Sequence, residues 1–139
     1  MDWKIEVIVV PVTDVDRAKA FYVDQMGFTL DVDHHPNEHF RVVQTTPPGS
    51  GCSITFGINV GGGEPGSVKG IHLCVNDIVA ALDHLESHGV KNGGIKHFDA
   101  TGQMQDGPHP ERIDFGSYIF LDDPDGNSWA VQEVKHNAR

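Results

Sequence analysis

The stretch Ile5-Glu6-Val7-Ile8-Val9-Val10-Pro11-Val12-Thr13-Asp14 returns, at a constant offset, as Val68-Lys69-Gly70-Ile71-His72-Leu73-Cys74-Val75-Asn76-Asp77. In both places an apolar run rich in β-branched residues ends in polar residues able to cap a helix. A helical pattern and a terminating glycine follow in step. The chain is therefore a duplication of one supersecondary unit. Each copy reads β-α-β-β-β, which predicts an α+β fold of two tandem βαβββ modules. A half-closed sheet of that size cannot cover its concave face alone, so the two are expected to combine into a curved, half-barrel mixed sheet with a central cleft.

The elements follow from periodicity. Ile5 to Val12 reads as a buried strand, and Thr13 and Asp14 offer cap oxygens. Val15, Ala18, Phe21, Tyr22 and Met26 then recur at helical spacing up to Gly27. From Phe28 the period becomes two: Phe28, Leu30 and Val32, then Phe40, Val42 and Val43, then Ile54, Phe56 and Ile58 predict three strands. Gly61-Gly62-Gly63-Glu64-Pro65-Gly66-Ser67 reads as a linker. No Gly-Lys-Ser/Thr follows it and no basic residue is placed for a phosphate, so it is not a phosphate loop. The second half predicts a strand from Gly70 to Val75, a helix from Ile78 to His88 with Ile78, Ala81, Leu82 and Leu85 on one side, and a strand from Lys91 to Phe98. A long loop from Asp99 to Gly116 and a closing hairpin complete it. One domain of 139 residues, with modules at about 1–60 and 68–139, can bury a core without disulfides or structural metal.

The hairpin is defined by Asp123-Pro124-Asp125-Gly126-Asn127, in which Pro presets one turn dihedral and Gly accepts a positive φ. Alternation along its arms places Tyr118 and Phe120, with Ala130 and Gln132, on a shared inner face, while Trp129 points the other way as core or interface packing. His72, in an otherwise apolar strand, is either a satisfied core histidine or a pocket hydrogen-bonding group or general base. His34-His35-Pro36-Asn37-Glu38-His39 superficially resembles a metal pair, but Pro36 and Asn37 predict a hairpin loop in which the spacing has no one-face meaning; solvated loop histidines are the plain reading. His97, Asp99, Asp106, His109, Glu111 and Asp114 lie on or around the long loop, which is either a lid over the cleft or an acidic surface loop. No Gly-x-Ser-x-Gly and no nucleophile-like Cys is present to carry covalent acyl transfer.

A net charge of −10 argues against nucleic-acid or anionic-membrane partners and favours a cationic ligand. Cys52 and Cys74 sit in apolar strand patterns without CxxC or Cys/His spacing, which predicts two reduced, buried thiols; a disulfide is the alternative. Asp2, Lys4 and Glu6 interrupt the first apolar residues, and no run approaches membrane-spanning length, so a soluble cytoplasmic protein is expected.

Val12-Thr13-Asp14, Arg17-Ala18, Phe21-Tyr22, Met26-Gly27-Phe28 and Asp123-Pro124-Asp125-Gly126-Asn127 together resemble the vicinal oxygen chelate superfamily, which contains glyoxalase I, bleomycin-resistance proteins, fosfomycin-resistance enzymes and extradiol dioxygenases. The resemblance covers nearly the whole chain and implies the paired-module fold and a homodimer. Metal-dependent members carry four ligand positions, typically His or Glu, which fall here on Val7, Thr55, Gly70 and Ala130. A metal of this kind needs three or more converging N, O or S donors, so no metal cofactor is expected. His72 with Gln132 supplies two donors, still short of a site.

The first expected function is therefore a glyoxalase/bleomycin-resistance-like protein whose metal-free cleft, lined by Val7, Thr55, His72, Tyr118, Phe120, Ala130 and Gln132, binds a small hydrophobic or cationic molecule. The alternative is a metal-independent isomerase or lyase with His72 as acid/base and Tyr118 as hydrogen-bond donor. A metal-dependent glyoxalase- or dioxygenase-type enzyme ranks third.

Overall fold

The structure, a computed structural model, describes residues 1–135. Its architecture is α+β, with two tandem βαβββ modules, and its contacts group into two compact units. The first comprises Met1–Val68 together with the turn Asp123–Asn127. The second comprises Lys69–Asp122 and the described residues from Ser128 to Lys135.

In the first unit β1 (Val7–Val9) lies parallel to β4 (Ser53–Ile58), which is followed by antiparallel β3 (Phe40–Thr46) and β2 (Thr29–Asn37), in the order β1-β4-β3-β2. Helix α1 (Val15–Lys19) runs on into a π-helical segment (Ala20–Gln25). Its start is set as the sequence predicts: Asp14 is extended and its Oδ1 accepts from the Arg17 amide at 3.0 Å. Val15, Ala18, Phe21 and Tyr22 are buried with Val43, Ile54 and Phe56 of the sheet. The Tyr22 ring sits 5.5 Å from Phe56, 5.8 Å from Phe28 and 4.9 Å from Phe21. Burying each aromatic side chain contributes about 1.5–3 kcal/mol, which makes this cluster the apolar centre of the unit.

In the second unit β5 (Ile71–Val75) lies parallel to β9 (Ser128–Glu133), and β8 (Ser117–Asp122), β6 (Ile95–Phe98) and β7 (Met104–Asp106) complete the order β5-β9-β8-β6-β7. Helix α2 (Ile78–Ser87) is capped by Asp77, whose Oδ1 accepts from the Val79 and Ala80 amides. Ile78, Leu85, Val90, Ile119, Leu121, Trp129 and Val131 form the core. The first strand of each half thus pairs in parallel with the last strand of the same half.

Several sequence expectations are corrected. The first strand contracts to Val7–Val9, the residues that find partners on β4, and Trp3 and Ile5 before it are exposed. Instead of forming a loop, His34, His35, Pro36 and Asn37 continue β2. Because β2 is the outer strand of its sheet, the missing proline N–H costs no ladder bond there. The long loop contains β7, added to the sheet edge by Lys96, His97 and Phe98 pairing with Asp106, Gln105 and Met104. The two thiols are free, but Cys52 is half-buried and Cys74 exposed, because Cys74 falls on the strand phase that faces away from α2. The Gly-rich linker is also more than a spacer: a Cβ on Gly66 would lie 2.2 Å from the Asp125 carbonyl oxygen, so the closing turn requires glycine there.

A polar knot holds that turn within the first unit. The Tyr22 hydroxyl donates to Asp123 Oδ2 at 2.7 Å, and the buried Asn127 amide donates to both Asp123 Oδ2 and the Pro11 carbonyl at 2.8 Å. Asn127 Oδ1 accepts from the Val68 amide, and Asp125 Oδ1 accepts from Thr13 and Arg17. Separately, Arg41 ties the sheet to the helix through a two-pronged bond to Asp33, at 3.0 and 2.9 Å, and a bond to Asp16 at 2.7 Å; Lys19 adds a bond to Asp33 at 2.8 Å. The Arg41 and Lys19 hydrogen bonds hold the Asp33 carboxyl far below the usual carboxylate range.

Replacing Tyr22 by Phe removes a buried donor from Asp123 and is expected to cost about 1–2 kcal/mol in urea unfolding. A depressed carboxylate stabilises the folded state above its unfolded pKa and ceases to do so as pH falls through its folded one. The urea midpoint is therefore expected to drop below about pH 4, and Asp33→Asn is expected to start lower at neutral pH and to flatten that drop.

Candidate functional site

The pleat of the second sheet separates two populations of side chains. Ile119, Leu121, Trp129, Val131 and Glu133 are buried on one phase. Tyr118, Phe120, Ala130 and Gln132 occupy the other, and the register sets Phe120 beside Ala130 beside His72, and Tyr118 beside Gln132 beside Cys74. The shared phase expected of the hairpin is therefore present, and His72 lies on it, but the face is open to solvent instead of enclosed. Lys96 pairs with Tyr118, so Phe98, two residues further on, falls on this face as well. Trp129 is 2% exposed and belongs to the core.

Three aromatic rings form a row on this face. Tyr118 and Phe120 stack with centroids 5.7 Å apart and planes 6° from parallel, and Phe98 meets Tyr118 edge-on at 5.7 Å. Phe98 is 41% exposed and Phe120 38%, so the row presents ring area to solvent rather than to the core. The Gln132 amide donates to the Tyr118 hydroxyl at 3.1 Å and lies 3.4 Å from the Phe115 carbonyl. The hydroxyl accepts in that bond and keeps its own hydrogen for another acceptor.

His72 is exposed, which removes the core-histidine reading. Its Nδ1 lies 2.8 Å from the Gly70 carbonyl; the carbonyl only accepts, so Nδ1 carries the hydrogen and a neutral ring presents Nε2 as a lone pair. Val7 and Thr55 lie instead on the first sheet, on the face turned away from α1. Thr55 is buried and spends its hydroxyl on the Val43 carbonyl at 2.9 Å. Gly70, at φ +77°, immediately precedes β5 and donates its amide to Ser128.

The four positions at which metal-dependent relatives would carry ligands thus offer Val, Thr, Gly and Ala, with the single hydroxyl already committed. Elsewhere among the described residues no three His, Cys, Asp or Glu side chains converge. The donor set does not fit a zinc, nickel or iron centre. His34 and His39 project from β2 and its turn, and the His34 ring contacts Phe40 instead of a second ligand.

The long loop is fastened, not free. Glu133, fully buried on β9, accepts from Arg112 Nε at 2.9 Å, from Arg112 Nη2, and from the Ile78 amide at the start of α2 at 2.9 Å. Arg112 foremost, then the Ile78 amide, hold the Glu133 carboxyl below its ordinary range against the opposing effect of burial. Phe115 donates its amide to the Glu133 carbonyl, and Asp114 accepts from the Lys135 amide. Arg112 and Phe115 adopt positive φ, 51° and 63°, a conformation that costs about 1 kcal/mol or more each and that these bonds maintain. Sequence reasoning missed Phe98 and this Arg112–Glu133 clamp. The former depends on the pairing of β6 with β8 and the latter on contacts distant in sequence, so nothing local marks either.

A family model described as the Glyoxalase/Bleomycin resistance protein/Dioxygenase superfamily matches residues 4–131. Among solved structures, TnmS3, an antibiotic binding protein from Streptomyces sp. CB03234, is 29% identical, with 95% of this chain and 96% of that one covered and a TM-score of 0.72. A superfamily member from Sphaerobacter thermophilus is 26% identical, with 96% and 98% covered and a TM-score of 0.71. The uncharacterized protein YetH of Bacillus subtilis is 21% identical over 132 residues, 94% of this chain and 98% of that protein.

Glu133→Gln keeps the shape of the clamp but removes its charge. It is expected to lower stability by about 1.5–3 kcal/mol, the usual worth of a charge-assisted bond, and to speed amide hydrogen exchange over Arg112–Phe115. Unchanged exchange there would show that the backbone bonds alone hold the loop.

Proposed function

The chain belongs to the glyoxalase/bleomycin resistance protein/dioxygenase superfamily, and from that premise we propose that it is a binding protein which holds a small hydrophobic or cationic molecule, without a metal, on the face carrying Phe98, Tyr118 and Phe120. The observation that carries this reading is the exposed aromatic row. Stacked rings with solvent on one side offer a flat apolar surface, and the Tyr118 hydroxyl and Gln132 amide beside them supply orienting polar groups. The likeness to an antibiotic binding protein supports a role in sequestering a ligand over one in transforming it. The net charge of −10 favours ligands that carry positive charge. The poverty of donors at Val7, Thr55, Gly70 and Ala130 supports metal-free binding.

His72 favours a second reading, an isomerase or lyase without metal. Its Nε2 lone pair is exposed on the same face, next to Ala130 and Phe120, where a general base for a bound carbon acid would sit. His72→Ala separates the two: a binding protein retains most of its ligand affinity, and an enzyme of this kind loses turnover.

Calorimetric titration with planar aromatic antibiotics and cationic glycopeptides tests the proposal. Binding is expected to persist after exhaustive chelation, with elemental analysis of the purified protein finding no stoichiometric Zn, Ni, Mn or Fe. Phe120→Ala is expected to weaken binding about three- to tenfold, the worth of one aromatic contact. Absence of binding to every such compound, or chelator-sensitive binding, would overturn the proposal.

A further inference from the structure

A line of polar side chains, one from each strand, crosses the second sheet at Tyr118. The register sets Asp106 of β7 beside Lys96 of β6, and Lys96 beside Tyr118 of β8. It continues with Tyr118 beside Gln132 of β9 and Gln132 beside Cys74 of β5. Paired residues project to one side of the sheet, so this line shares the face of the aromatic row, which runs along the strands through Phe98, Tyr118 and Phe120. Tyr118 is where the two lines meet.

The hydrogens around that crossing can be followed one by one. The Phe115 carbonyl only accepts, so the nitrogen end of the Gln132 amide is the one 3.4 Å from it. The same nitrogen donates to the Tyr118 oxygen at 3.1 Å. That bond takes a lone pair of the phenol and directs its O–H away from Gln132. On the other flank stands Lys96, whose ammonium donates to Asp106 and has no lone pair to offer. No group among the described residues accepts the Tyr118 hydrogen, which is left to solvent. A flat apolar molecule laid on the rings displaces that solvent, and a hydroxyl covered without a new acceptor costs about as much as one aromatic contact returns. An ammonium brings only further hydrogens to this point of the face. A carbonyl conjugated with its ring brings only lone pairs, and it lies in the ring plane, where it can meet the hydroxyl while the rings stay on the row.

We propose that the molecule held on this face is an aryl carbonyl compound whose rings cover the aromatic row and whose carbonyl oxygen accepts from the Tyr118 hydroxyl. Gln132 is the positioning residue: by donating to the phenol oxygen it keeps the hydroxyl hydrogen from turning back to β9. The inference rests on the reading of the aromatic face as the binding surface, and it gives the hydrophobic ligand of that reading one required polar atom and the place where that atom sits.

Fluorenone and fluorene share a planar ring system and differ only in a carbonyl against a methylene, so the ratio of their affinities isolates the oxygen. Titrated by fluorescence against the full-length protein, that ratio is expected to fall about three- to tenfold in Tyr118→Phe, the worth of one neutral hydrogen bond. Gln132→Glu, which offers the phenol hydrogen an acceptor inside the sheet, is expected to lower the ratio to a similar extent with Tyr118 intact. In the infrared the carbonyl band of bound fluorenone is expected at lower wavenumber in the unaltered protein than in either variant. A ratio unmoved by the two substitutions, or a carbonyl band in the unaltered protein no lower than that of fluorenone in hexane, overturns the inference and leaves the aromatic face standing. Failure of both probes to bind removes the aromatic-face reading and this inference with it.

Discussion

The buried carboxylate of Asp123 is the interaction on which most of this structure depends. Its two oxygens accept from the Tyr22 hydroxyl, the Asn127 side-chain amide, and the Asp125 and Asn127 backbone amides. An acceptor 4% exposed is cut off from water, so any one donor removed leaves a buried oxygen short of a hydrogen bond. Through Asn127 the network reaches Pro11 and Val68, and through the neighbouring Asp125 it reaches Thr13 and Arg17. A five-residue turn at the far end of the sequence thereby becomes part of the first unit. The contact also explains why Gly66 tolerates no side chain and why Tyr22, at the centre of the aromatic cluster, is a tyrosine and not a phenylalanine.

Once the hairpin is held, the pleat of its strands decides the chemistry. Ala130 and Glu133 are three residues apart and so fall on opposite phases. The one carboxylate of β9 is directed inward to clamp Arg112 and the start of α2, and the outer face is left to a methyl group. That carboxylate holds a loop in a strained conformation. The outer face is then free to carry rings, amide and hydroxyl.

Much of this was legible from residues alone, because it follows from periods of two and 3.6 and from short-range turn chemistry. The caps at Asp14 and Asp77, the terminating glycines, the hairpin and the shared phase of Tyr118, Phe120, Ala130 and Gln132 are all local. Misreadings arose where a residue's neighbours across the sheet mattered. Pro36 looked like a strand breaker and is not, since β2 is an outer strand. Cys74 looked buried because its strand is apolar, and for His72 a core reading stood open beside a pocket one, yet both are exposed on the phase facing away from the helix. Phe98 could not be joined to Tyr118 without knowing that β6 pairs with β8.

The sequence by itself determined the duplicated βαβββ units, the capping and turn geometry, and the absence of metal donors at the four positions inherited from the family pattern, because each depends on residue type and near spacing. Tertiary structure alone decided that the closing turn belongs to the first unit, that Glu133 serves Arg112, and that Phe98 extends the Tyr118–Phe120 row. These are pairings between segments far apart in the chain, and no local pattern specifies which strand lies beside which or which buried donor meets which acceptor.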